Sequence, residues 1–148
     1  MTRSLYEAAG GAPAVTALAA AHHARCLADD QLDHPFSRVE DHDRHVARLA
    51  AYWGEAFGGP AAYSGGLGSQ REVVEMHCVG GEDLSELGRR FLACFVAAMD
   101  DAALPDDPAL REALTGYMSW SVRQFTVPGV DRPAGQGVPR WSWDGLQA

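Results

Sequence analysis

Val73-Val74-Glu75-Met76-His77 is the stretch on which the reading of this chain turns. It lies between Ser64-Gly65-Gly66-Leu67-Gly68 and Gly80-Gly81, so it has room for about two helical turns. Val73, Met76 and His77 follow the i, i+3, i+4 spacing, which turns the imidazole inward with apolar neighbours and away from Glu75. A neutral imidazole in an apolar wall is a good ligand for iron or another transition metal. The same pattern suits a hydrogen-bonded core histidine, so the rest of the chain has to decide between the two.

Working outward, the segment after this stretch is strongly amphipathic. Leu84, Leu87, Phe91, Leu92, Phe95, Ala98 and Met99 mark a core helix that ends before Pro105. Asp107-Pro108 then opens a last helix carrying Leu110, Ala113, Leu114, Tyr117, Met118, Ser121, Val122 and Phe125 on its inner side. Two long helices joined by a short loop are expected to pack antiparallel.

Before the stretch, Gly58-Gly59-Pro60 to Gln70 reads as a glycine-rich loop of roughly ten residues, long enough to suspect function. The helix ahead of it is capped by Asp41 or Asp43. Val46, Leu49, Ala50, Trp53 and Phe57 form its apolar stripe, and His45, Leu49, Tyr52 and Ala56 form a second inner row. His42, one turn from His45, is expected to face solvent. Pro35 pushes His34 toward extended backbone, and Phe36 is the one large apolar anchor of that corner.

At the N-terminus, Ser4-Leu5-Tyr6-Glu7 has the form of a capping box. Gly10-Gly11 stops its short helix, and Ala12-Pro13 starts another that runs to about Ala28. On that second helix Val15, Leu18, His22 and Cys26 share one side, with Ala19, His23 and Leu27 beside it. Residues 1–127 are read as one domain and 128–148 as a Gly/Pro-rich tail in which Trp141-Ser142-Trp143 docks on the body. No strand is expected anywhere.

At 148 residues one domain can bury about two-thirds of the surface that its unfolded chain exposes. Hydrophobic residues make up 47%, yet no apolar run approaches the ~18 residues needed to span a bilayer. Met1 to Glu7 lacks a secretory apolar region, which points to the cytoplasm. Twenty acids against 12 bases give a net charge of -8. That charge repels phosphate backbones and anionic lipid, so neither nucleic acid nor membrane is an expected partner. Cys26, Cys78 and Cys94 contain no CxxC pair and read as reduced thiols.

Taken in order, Leu5-Tyr6-Glu7 with Gly10-Gly11, Gly58-Gly59-Pro60 with Tyr63-Ser64, Met76-His77, and Phe91-Leu92-Ala93-Cys94 resemble the truncated haemoglobins, and most their second group. The resemblance covers residues 4 to 126. It implies an all-α two-over-two helical sandwich with haem b as cofactor, its iron held by His77 beside Met76. It further implies that Phe36 packs on the haem face and that His45 lies on the distal side, with Leu49, Tyr52 and Trp53 on the same helix. Arg48 matches a basic residue near the haem propionates; Tyr63 and Arg71 are further candidates for that role. His23 and Phe91 stand where the family usually has Tyr and Trp.

Those last two departures matter because the Tyr hydroxyl and the indole N–H are the family's usual donors to bound dioxygen, and Phe91 donates nothing. Stabilisation of the ligand then falls on His23 and His45, either of which could instead bind the iron directly. The implied function is binding of dioxygen or another diatomic, with oxygen transport or peroxidase-like or nitric oxide dioxygenase-like chemistry as its use. The implied partners are the diatomic and a reductase, and the chain is compatible with a homodimer. The competing class is a haem-free helical regulatory or small-metal protein using His42-x-x-His45 with His22 or His23.

Overall fold

The computed structural model describes residues 2–32, 40–77, 84–126 and 137–147, the side chains of 75–77 excepted. Ser4 caps α1 (Leu5–Ala9) by accepting the Glu7 N–H at 3.1 Å. Gly10, at φ +120°, ends it in a left-handed conformation that L side chains rarely adopt. The next helix, α2 (Gly11–Ala28), buries Val15, Leu18, Ala19, His22, His23 and Cys26, the two expected inner rows except for Leu27, which is only half-buried. Asp29 follows it and gathers the N–H groups of Gln31 (2.9 Å) and Leu32 (3.1 Å).

Asp41 rather than Asp43 caps α3 (His42–Ala56), accepting the Arg44 N–H at 3.0 Å. Its end is shaped by Tyr6, whose N–H bonds the Phe57 carbonyl at 2.9 Å. The Tyr6 ring lies where a Cβ on Gly59 would come within 2.7 Å of it, so the chain leaves α3 through residues without side chains. The short helix α4 (Gln70–His77) has the two-turn length expected for it. α5 (Ser85–Asp101) and α6 (Pro108–Thr126) complete the body.

The last two helices are antiparallel: the Leu84 N–H at the start of α5 bonds the Thr126 carbonyl at the end of α6, 2.9 Å away. At their other end Asp100 pairs with Arg111. α2 packs on both α3 and α5, and Arg25–Asp101 and Arg90–Asp29 pairs clip the α2–α5 crossing. Two helix pairs, α2 with α3 and α5 with α6, therefore sandwich a core of Leu18, Trp53, Phe57, Phe95, Met99, Leu114 and Tyr117. Among the described residues no helix is long and apolar enough to cross a membrane.

The C-terminal segment corrects the expectation of no strands. Trp141–Ser142 (β1) pairs antiparallel with Gly145–Leu146 (β2), the turn closing at Gly145 with φ +103°. This small hairpin docks through both tryptophans: Trp141 Nε1 donates to the Ala113 carbonyl at 3.1 Å and Trp143 Nε1 to that of Arg3 at 2.7 Å. The indole rings cover apolar surface while each N–H finds an acceptor, which a two-residue ladder alone could not hold.

Candidate functional site

Among the described residues, four imidazoles gather where α2 crosses α3. His22 and His23 are consecutive on α2, so they point in different directions, and both are buried, at 1% and 4% exposure. His22 points toward α5. Its Nε2 donates to the Phe91 carbonyl at 3.2 Å, and its ring meets Phe91 at 4.3 Å, Trp53 at 5.3 Å and Phe95 at 6.0 Å, each edge-on. Cys26 Sγ lies 3.8 Å from its Nδ1. Burial pushes the His22 pKa down to about 4, the Phe91 carbonyl opposing it and His23 and His45 adding to it.

The neutral state of His22 makes stability depend on pH. In the unfolded chain the imidazole takes its proton near 6.5, in the folded one only near 4. The unfolded state thus binds more protons between those values, and stability falls as pH drops from 6.5 toward 4, by up to about 3 kcal/mol. Urea melts across that window should show this slope, and a His22→Phe variant should flatten it.

His23 points toward α3 instead. Its Nε2 lies 2.8 Å from His42 Nδ1, and its ring stands 4.8 Å from that of His45. Burial lowers its pKa, followed by the neighbouring His45 and His42. His42 was expected to face solvent; it is half-buried and bonded to His23. The i, i+3 spacing of His42 and His45 was the signal, since a His23 turned toward α3 meets both.

Val46 and Leu49 on α3 and Phe91 and Leu92 on α5 are apolar, half-buried and packed against the core, and the Phe91 ring also meets His22. Trp53, at 3% exposure, sits inside the core between His22 and Phe95. Tyr52 donates its hydroxyl to Gln70 Oε1 at 2.6 Å, tying α3 to the start of α4. Burial pushes its phenol up, and does the same to Tyr117, its hydrogen-bonded neighbour.

The loop before α4 is organised from within. Tyr63 is buried against Tyr52, and its carbonyl accepts from Gly66, Leu67 and Gly68 at 3.3, 2.8 and 3.1 Å. Arg48 donates to the Leu67 carbonyl at 2.7 Å and lies over the Tyr63 ring. Glu55, which the sequence reading did not single out, is 2% exposed and accepts from Tyr63 N, Ser64 N and Ser64 Oγ at 3.1, 2.9 and 2.5 Å. Arg71 is exposed in the first turn of α4. Met76 and His77 close that helix, with side chains outside the described residues; Phe36 and Cys78 lie outside them altogether. Burial raises the pKa of Cys26, a core thiol, and of Cys94, which is only half-buried.

A two-over-two helical body with histidines on the inner faces of α2 and α3 and a short helix ending in His77 is a globin of reduced form. Residues 4–120 match the family described as bacterial-like globin. A group 1 truncated haemoglobin from Synechocystis is 31% identical over 106 residues, 70% of this chain and 82% of that protein. A thermostable haemoglobin from Thermobifida fusca is 30% identical, with a TM-score of 0.70 over 85% of this chain and 99% of its own. The group II truncated haemoglobin of Bacillus anthracis shares the fold, with a TM-score of 0.74 at 18% identity over 88% of this chain and 96% of its own. The chain belongs to the bacterial-like globin family, as a truncated haemoglobin, and that membership implies haem-based ligand binding.

Proposed function

We propose that this chain holds haem b through His77 and binds dioxygen or another diatomic ligand on the side lined by His23, His45, Leu49 and Phe91. The observation that carries this reading is the imidazole cluster of His23, His42 and His45 on α2 and α3, with half-buried apolar side chains present on α3 and α5. The residues present fit the group: an apolar wall suits a macrocycle, and imidazole is a ligand that ferrous iron accepts. No CxxC pair is available for covalent attachment, which favours haem b. When bound, haem supplies an iron with an open position for the diatomic.

The chain's own contribution is polar and steric. His23 and His45 offer N–H groups in a setting where burial keeps His23 neutral, so either can stabilise partial negative charge on a ligand. Phe91 contributes bulk, and its carbonyl occupies His22, which is thereby withdrawn from the ligand's side. Arg48 and Tyr63 hold the loop that leads into α4, while Met76, Tyr52 and Trp53 complete the surrounding set and Phe36 and Arg71 remain proposed haem contacts. A distal imidazole also suits proton transfer to or from peroxide, so peroxide or nitrogen-oxide chemistry shares this pocket, with a reductase as electron source.

The small-metal reading has less behind it. His22 is engaged by a carbonyl, and His23 and His42 by each other. The test is dioxygen dissociation from the ferrous protein. His45→Leu and His23→Phe should each accelerate it about fivefold, the worth of one hydrogen bond; unchanged rates in both would remove the distal role assigned to them.

A further inference from the structure

We propose that Cys26 and Cys94 are a redox-responsive thiol pair, which a low-molecular-weight disulfide of the glutathione class oxidises to a Cys26–Cys94 disulfide clamping α2 to α5. The inference goes beyond the haem-binding reading and stands independently of it. Its basis is the meeting of two cysteines from different helices. Cys26 on the inner face of α2 and Cys94 on α5 are in hydrogen-bond contact through their thiols, and neither is in a disulfide.

Three further contacts bracket the pair along the same crossing. His22, one turn before Cys26, meets the carbonyl of Phe91, one turn before Cys94, at 3.2 Å. Arg25, next to Cys26, pairs with Asp101 at 2.9 Å. Asp29, one turn after Cys26, pairs with Arg90, one turn before Cys94, at 3.2 Å. A disulfide demands that the backbones carrying its two sulfurs already stand close. These contacts hold α2 and α5 in that closeness on either side of the thiols.

Exposure sets the order of events, because Cys94 is half-buried and Cys26 fully buried. The Cys94 thiolate attacks one sulfur of the small disulfide, forming a mixed disulfide and releasing the first small thiolate. Cys26, as thiolate, then attacks the Cys94 sulfur, and the second small thiolate leaves as the protein disulfide forms. The two protons of the protein thiols pass to the two released thiolates. The protein thus loses two electrons and two protons, and the small disulfide gains them as two thiols. Burial first and Asp29 next hold the Cys94 thiol above its ordinary range, with Arg25 and Arg90 opposing them, so exchange takes minutes to hours. Burial raises Cys26 as well; its attack succeeds because the mixed disulfide holds the target sulfur beside it. In a reducing compartment the pair stays a dithiol and closes only when the level of small disulfide rises.

The experiment incubates the full-length protein with glutathione disulfide at mildly alkaline pH for several hours. Non-reducing proteolysis with mass spectrometry then maps the links, and a thermal melt reads stability. The expected product joins the Cys26 peptide to the Cys94 peptide. Closing a loop of about 68 residues should raise the melting midpoint by about 10 °C, and dithiothreitol should return it to the parent value. Cys94→Ser and Cys26→Ala should each lose both the link and the shift. Cys94→Ser changes a half-buried position and keeps the test open if the core variant fails to fold. A lasting glutathione adduct on Cys94 with Cys26 still a thiol overturns the proposal. So does a link that uses Cys78 in place of either cysteine, a link that forms only once urea has unfolded the chain, or a linked protein that melts at or below the reduced one.

Discussion

A Phe95→Ala protein should be less stable than the parent by about 3–5 kcal/mol, the loss expected when a large core side chain is truncated and the space collapses only in part. Phe95 is fully buried. Its ring stands edge-on to Trp53 at 5.1 Å and to His22 at 6.0 Å, so it joins the core of the α2–α3 pair to α5. Truncation removes its own buried area and the edge-on contacts of both neighbours. One residue further along, Val96 is 42% exposed, and Val96→Ala should change stability by less than about 0.5 kcal/mol. Urea unfolding of the two variants beside the parent checks the contrast. Equal midpoints for both would contradict the packing described for α5.

Glu55→Ala should cost about 3 kcal/mol through a different cause. The carboxylate is buried and accepts three hydrogen bonds from Tyr63 and Ser64. Bonds to a charged acceptor are worth more than neutral ones, and their loss strands the Tyr63 N–H in the interior. The loop it anchors carries the chain from α3 to α4, the helix that ends in His77. The variant is therefore expected to release haem faster as well as unfold at lower urea. Glu55→Gln keeps one acceptor oxygen and should lose about half as much. Haem transfer to an acceptor apoglobin, followed by absorbance, measures the first effect and urea melts the second. An Ala variant with parental melting and haem release would show that the loop is held by other contacts.

The helices were legible because their signals are local. Ser4, Gly10, Asp41 and Asp107-Pro108 mark helix ends by chemistry that needs no tertiary partner, and the structure uses each of them. The rows on α2 were readable for the same reason, since 3.6-residue periodicity places Val15, Leu18, His22 and Cys26 together. Glu55 was invisible because its partners lie eight and nine residues on, across a glycine turn with no repeating pattern. His42 was misread because exposure was judged from its own helix, while its partner belongs to α2. The hairpin at Trp141 escaped notice because strands of two residues carry no alternation to detect. Tail docking was expected from aromatic content and is carried by two indole N–H bonds.

Within the candidate site, the sequence brought His23, His45, Leu49, Tyr52 and Phe91 to the right helices through order and spacing. It could not say which neighbour each imidazole would choose. That choice depends on the α2–α3 crossing, which puts His23 against His42 and leaves His22 to the Phe91 carbonyl. The resemblance assigned Arg48 to the propionates; in the structure its guanidinium holds the Leu67 carbonyl.

The central claim is that His77 carries the iron, and the visible spectrum of the haem-loaded protein beside a His77→Ala variant tests it most directly. The account predicts a Soret band at one haem per chain in the parent, a ferrous form that takes up carbon monoxide, and loss or marked weakening of that band in the variant. A parent that takes up no haem, or a variant with the parental spectrum, would contradict it.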